Sequence, residues 1–219
     1  MSVFERPIVM LDFETTGLSP VAGDRITEVA ALRIVGGQIT ERYVSLVNCA
    51  VRIPAFITQL TGITQEMVDG APPAARVVPE LIDFIGNDAL SAHNASFDEK
   101  FLKAEGERLG RSCGHAHLVC SLKLSRRVFP GLASYKLGQL SGHLGIRFAS
   151  RAHRAEADAE AAAQVLLHIG RHLDTTYGLG QVQPGLLAAL NKVAAAKVPA
   201  WLGKYAAEQR AAQQAEPAI

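Results

Sequence analysis

The first hydrophobic run of the chain, "IVMLDFETTGL" at residues 8–18, sets four apolar residues directly ahead of two carboxylates, Asp12 and Glu14. A continuous apolar run suits a strand covered on both faces, as in a sheet with helices on either side. Residues two apart in a strand point to the same side, so Asp12 and Glu14 aim together. Two carboxylates taken out of water beside each other repel, and each loses hydration. A divalent cation supplies the missing opposite charge, and carboxylate-only ligands suit hard ions such as Mg²⁺ or Mn²⁺. The bland alternative is a strand that has simply ended, because D-x-E alone is a weak motif.

The rest of the chain builds around that strand. Residues 26–35 and 38–47 are β-rich runs, and Gly36-Gly37 between them signals a two-residue hairpin. Residues 54–62 suit a short helix or turn ending at Gly62, and "VVPELIDFIG" a helix ended by Gly86. "DALSAHN" suggests a short strand, and "SFDEKFLKAEGERLG" a helix opened by a capping box, Ser96-x-x-Glu99. Helices are expected over 119–128, 135–144 and 155–173. This order predicts an α/β domain with a mixed central sheet over residues 1–177. "GLGQVQPG" after Tyr177 resembles a linker. It leads to an Ala-rich helical extension over 178–219, with Leu186, Leu187, Leu190 and Val193 at helical spacing and a frayed tail from Ala207.

The formal net charge of the 219 residues is +1, so no strong global field attracts long polyanions, while a grip on a short end needs none. Three cysteines without a CxxC pair indicate reduced thiols. With no signal-peptide pattern and no membrane-length apolar run, the expected location is the cytoplasm and no membrane partner is expected.

Two more acidic clusters matter. Asp98 falls in the first turn of a predicted helix, behind His93 and Asn94 at a strand end, where α/β sites form. In "SRAHRAEADAEAAAQVL", His153 and Asp158 would stand about 140° apart if both were helical. His153 therefore belongs in a loop before the helix, with Asp158 on the second turn. A loop histidine near an activated water makes a general base. Each cluster alone has an ordinary explanation, since acids favour helix starts. Together they supply four carboxylates, which is what two metal ions need for phosphodiester hydrolysis.

The stretches "VMLDFETTGL", "SAHNASFDEKFL" and "HRAEADAEAAAQVL" resemble the three motifs of the DEDD superfamily of 3′–5′ exonucleases. The histidine in the third stretch places the likeness in the DEDDh branch, with its ribonuclease H-like fold. The nearest likeness is to the DnaQ-like epsilon proofreading subunit of bacterial DNA polymerase III and its free-standing relatives. "LTGIT" at 60–64 and residues 121–146 share it, and it runs from about residue 6 to 173. The resemblance implies that Asp12, Glu14, Asp98 and Asp158 hold two Mg²⁺ or Mn²⁺ ions. It implies that His153 deprotonates a water that attacks the terminal phosphodiester and releases a nucleoside 5′-monophosphate. Thr15, Thr16 and Gly17 would meet the terminal nucleotide through their backbone. Leu18, Leu60, Thr61 and Phe97 would flank its sugar and base, and Asn94 would hold the second motif.

The expected partner is the 3′ end of single-stranded DNA, in proofreading or repair. Trimming of short RNA 3′ ends stays open, because sugar recognition depends on pocket shape. A non-catalytic nuclease-fold interaction module is disfavoured by the intact five residues. Arg147, Arg151 and Arg154 around His153, and Arg126-Arg127, are candidates for phosphate contacts. "CGHAHLVC" is too crowded for the usual zinc loops. Trp201 could dock the extension on the domain or on a second copy, and a polymerase partner through the extension stays open.

Overall fold

A computed structural model describes residues 3–147 and 153–215. Five strands form one mixed sheet: β1 (Ile8–Thr15), β2 (Ile26–Val35), β3 (Gln38–Leu46), β4 (Ala89–Ala92) and β5 (Leu118–Cys120). Their order is β3-β2-β1-β4-β5. β1 to β3 pair antiparallel, while β4 runs parallel to β1 and β5 parallel to β4.

The apolar runs of β1 and β2 are continuous because both faces are covered. On one face Ile8 and Met10 pack with α7 (Ala155–Tyr177), whose Ala155, Ala159, Ala162 and Ala163 enter that cluster. On the other, Val9, Leu11 and Phe13 pack with α3 (Ala74–Ile85) and α4 (Ala95–Arg108). Each large aliphatic side chain buried this way contributes roughly 1.5–3 kcal/mol, which holds β1 rigid at the centre. The edge strand β3 is mostly solvated and polar, as an unpaired edge should be. The hairpin forms at Gly36 and Gly37, both at positive φ, as a tight two-residue turn requires.

Smaller helices complete the fold: α1 (Ala55–Thr61), α2 (Gln65–Asp69), α5 (Ser121–Val128), α6 (Leu137–His143), α8 (Pro184–Leu190) and α9 (Val198–Ala215). Three local expectations change. The helix expected over 119–128 begins only at Ser121, because residues 118–120 form the short edge strand β5. The capping box at Ser96 does not form. Asn94, at φ +90°, turns the chain from β4 into a helix that already starts at Ala95, and Glu99 pairs with Lys103 instead, at 2.7 Å. The tail from Ala207 is helical through Ala215, in keeping with its alanine content.

Residues after Tyr177 return to the core. Leu179, Val182, Leu187, Leu190, Val198 and Leu202 are buried in the same cluster as α7, and Trp201 packs against it and stacks on Tyr205. Asn191 closes the open edge of β5. Its Oδ1 accepts from the Cys120 N–H at 2.7 Å and its Nδ2 donates to the Cys120 carbonyl at 3.2 Å, as a sixth strand would.

Candidate active site

Asp12 and Glu14 stand at the C-terminal end of β1, on the face that β1 shares with α7. A register shift follows between Glu14 and Thr15, so the strand leaves its ladder just past the acids. Asp98, in the first turn of α4, is buried and reaches back to the strand: its Oδ1 accepts from the Phe13 N–H at 3.2 Å. Asp158 lies in the first turn of α7, one turn earlier than its spacing alone suggests. Its Oδ2 accepts from the His153 N–H at 3.0 Å, with His153 in the loop at φ +61°.

These groups converge. Carboxylate oxygens of Glu14 and Asp158 and a ring nitrogen of His153 lie within 4.8 Å of one another, the only such cluster of three among the described residues. Burial raises the Asp12 carboxyl well above the usual carboxylate range, and Asp98, Glu14, Asp158 and Glu28 push it the same way. Burial also lifts Glu14 to about 8, helped by Asp158 and Glu28 and opposed by Arg154. Asp98 is pushed up to about 8 by burial, against the lowering hydrogen bonds of the Phe13 and Asp98 amides. Asp158 is raised by burial and lowered by its bond from His153. Four mutually repelling acids with one nearby guanidinium are an electrostatic deficit of positive charge. An oxygen-rich donor set of this kind fits hard divalent ions.

Around them the loop after β1 is tied down. Gly17 passes so close to Asp24 that an added Cβ would fall 2.4 Å from its carboxylate, so a side chain there would displace Asp24. Asp24 Oδ2 in turn accepts from the Ser19 N–H at 2.9 Å. The Thr15 hydroxyl donates to the Gly17 carbonyl at 2.6 Å, and Thr16 Oγ1 accepts from the Arg25 N–H at 3.0 Å. Leu18 and Leu60 are exposed, at 77% and 48%, as are Val21 and Phe56. Thr61 is buried, its hydroxyl donating to Ile57 O and accepting from Ile63 N. Phe97 is half-buried against Phe101, at 5.1 Å between ring centroids.

Two residues at the site escaped the sequence reading in this role. Glu28, directly opposite Glu14 in the β1–β2 register, is 3% exposed. Its carboxylate takes Arg154 Nε at 3.0 Å and accepts from the Ala155 N–H at 2.9 Å, anchoring both the His153 loop and the first turn of α7. Arg154 is thus engaged by protein, Arg147 is exposed, and Arg151 lies outside the described residues. The available signal was a lone acid inside the apolar run "ITEVAALRIV". The "CGHAHLVC" segment brings no metal cluster together among the described residues.

The profile of the RNase_T exonuclease family matches residues 9–166. The chain is 42% identical over 161 residues to the 3′-5′ exonuclease DinG of Bacillus subtilis, covering 74% of this chain but 17% of that protein. It is 35% identical over 179 residues to the DNA polymerase III subunit epsilon of Aquifex aeolicus, covering 82% of this chain and 88% of that one. Exonuclease X in complex with 5′ overhanging duplex DNA superposes with a TM-score of 0.66 at 25% identity, over 84% of this chain and 99% of that one. The chain therefore belongs to the RNase_T exonuclease family, in its DnaQ-like group with the ribonuclease H-like fold.

Proposed function

We propose that the chain removes nucleotides from the 3′ end of single-stranded DNA as nucleoside 5′-monophosphates. The observation that carries this reading is the meeting of Glu14 and Asp158 with the His153 imidazole, beside a buried Asp12 that Asp98, Glu14 and Asp158 all repel. Exonucleases of this family use divalent metal ions. Asp12, Glu14, Asp98 and Asp158 fit two such ions, Mg²⁺ or Mn²⁺, which when bound supply Lewis-acid charge at the phosphodiester.

The chain's own residues do the rest. His153, with a ring nitrogen facing Glu14 and Asp158, accepts the proton of the attacking water. The tethered Thr15–Gly17 backbone faces the terminal nucleotide, and exposed Leu18 and Leu60 with Phe97 flank its sugar and base. Thr61 serves by shaping the turn at Gly62, since its hydroxyl is already bonded. Asn94 sets the angle at which α4 delivers Asp98 to the strand. The name of the DinG relative supports 3′–5′ polarity, and the DNA bound by Exonuclease X supports DNA.

The test is digestion of a 5′-labelled single-stranded oligonucleotide beside a 3′-labelled one, with Mg²⁺ or Mn²⁺. A 3′ label released at once as mononucleotide, with a shortening 5′-labelled ladder, is the expected result. Mononucleotide released first from the 5′ label would overturn the polarity. An RNA oligonucleotide of the same sequence is compared by kcat/KM, and DNA is the expected better substrate.

A further inference from the structure

Arg126 and Arg127 are neighbours on α5, yet the fold uses them differently. Arg127 turns inward, donating to the Val193 carbonyl at 2.8 Å and to the Lys123 carbonyl at 3.0 Å. Arg126 is exposed, its guanidinium 5.8 Å from the centre of the Tyr135 ring. With Lys136, Ser134, Tyr135, Leu122 and His93 it lines an open cavity of about 510 Å³. Neither Arg126 nor Lys136 has a carboxylate within 4.0 Å among the described residues.

This cavity lies beside the acidic site. β1 and β4 run parallel with Met10 level with Ser91. Asp12 stands two residues further along β1, and His93 directly follows the last residue of β4, Ala92. β4 is the neighbour of β1 on its β5 side, so His93 and the cavity it lines open from the end of the strand next to the one that carries Asp12 and Glu14. His93 fastens the two together. Its Nε2 stands 2.9 Å from the Tyr135 carbonyl, which can only accept, so Nε2 carries the proton. Nδ1, 3.0 Å from Ser121 Oγ, then accepts from that hydroxyl. Burial lowers the basicity of His93, and Arg126 lowers it further, in keeping with a neutral ring that holds the loop in place.

We infer that Arg126 and Lys136 grip the internucleotide phosphates upstream of the 3′-terminal nucleotide, extending the site into a single-strand groove. The inference rests on the exonuclease reading, and it explains how a chain of net charge +1 holds a polyanion: positive charge is concentrated where the strand leaves the carboxylates. Arginine's planar fork, laid against a tyrosine ring, suits a phosphate's paired oxygens. Tyr135 and Leu122 give a sugar or base an apolar surface beside the cations.

The test measures the R126A/K136A protein against wild type on a single-stranded 12-mer and on a dinucleotide. Affinity is read by fluorescence anisotropy of cleavage-resistant phosphorothioate versions with Mg²⁺ present. The expected result is about tenfold weaker binding and raised KM on the 12-mer, and less than twofold on the dinucleotide. The slope of log Kd against log salt should fall by about 1.4, for two contacts at roughly 0.7 each on a single strand. Both side chains are exposed, so the melting temperature should hold, and Lys204→Ala on α9 serves as a control that moves neither reading. An equal loss on both lengths or an unchanged salt slope would overturn the groove. Wild-type protein that shows the length-dependent binding yet cleaves nothing would overturn the exonuclease reading and leave the groove supported.

Discussion

Asp98 and Asp158 both sit in the first turn of a helix and face the same site, but they are held in different ways. Asp98 is bonded to the sheet itself, through the Phe13 amide, and is 4% exposed. Asp158 is half-buried and bonded to its own loop, through the His153 amide. That loop hangs from the sheet by Glu28, which clamps Arg154 and the Ala155 amide. One wall of the carboxylate cage is therefore part of the core. The other, which carries the proposed base, joins a helix that packs on the core through Ala155 and Ala159 to a loop that Glu28 ties to the sheet.

The largest effect should come from breaking the core-bound wall. Asp98→Ala is expected to reduce kcat by more than about 10³-fold and to weaken Mn²⁺ binding in calorimetry. Asp98→Asn should do the same while raising the melting temperature of metal-free protein, because it removes the cost of burying an ionisable carboxyl. The matching Asp158→Asn should raise it less, since Asp158 is more solvated. A metal-free Asp98→Asn protein less stable than wild type would show that the carboxylate's bond from Phe13 outweighs the cost of its burial.

The second wall is probed at Glu28. Glu28→Gln keeps the shape but removes the charge that holds Arg154. Partners one step removed from metal ligands typically cost 10–100-fold, so a loss of about that size in kcat/KM is expected. A double variant with Arg154→Ala should lose little more, because the two act as a unit. Independent, multiplying losses would mean that Arg154 has a role away from Glu28.

Metal and pH separate the walls thermodynamically. Glu14 and Asp98 titrate near 8 in the folded chain, against about 4 in an unfolded one. Between those values the native state binds more protons. The contribution of these two acids to metal-free stability is therefore full below about pH 4 and is lost as pH rises toward 8. Mg²⁺ or Mn²⁺ should reverse the trend, giving a larger gain at pH 8 than at pH 5. At a hundredfold excess over Kd the gain is about 2.7 kcal/mol, or roughly 5–10 °C. A metal-induced shift independent of pH would mean that the acids are already ionised without metal.

The acids and histidine of both walls were visible in the sequence, but the Glu28 tie that holds the second wall was not. Asp12 and Glu14 show the period of a strand, Asp98 a helix start, and His153 and Asp158 a loop and helix, all from neighbours close in the chain. Glu28 and Arg154 are 126 residues apart, and no local pattern joins them. The same limit hid β5, whose three residues are too few for a period. It hid the partner of residues 179–206 as well: leucine spacing and Trp201 suggest an apolar face that docks, but not that the face meets α7. At Ser96 a genuine capping signal lost to the turn at Asn94 needed to aim Asp98.

The smallest predicted effect tests how firmly the core-bound wall carries the substrate loop. Lys100 on α4 donates to the Leu18 carbonyl at 2.5 Å, with its ammonium 4.9 Å from the Phe97 ring centre. It thereby joins the exposed leucine of the β1–β2 loop to the helix that bears Asp98. An exposed cation–π contact is worth about 0.5–1 kcal/mol, and loss of the carbonyl bond adds a similar amount. Lys100→Met keeps the apolar stem and removes both contacts. The expected outcome is a KM for single-stranded DNA raised about three- to tenfold, with kcat nearly unchanged, because the carboxylates do not move. A fall in kcat instead would show that the loop and the catalytic wall are one rigid body, so that loosening Leu18 also displaces Asp98.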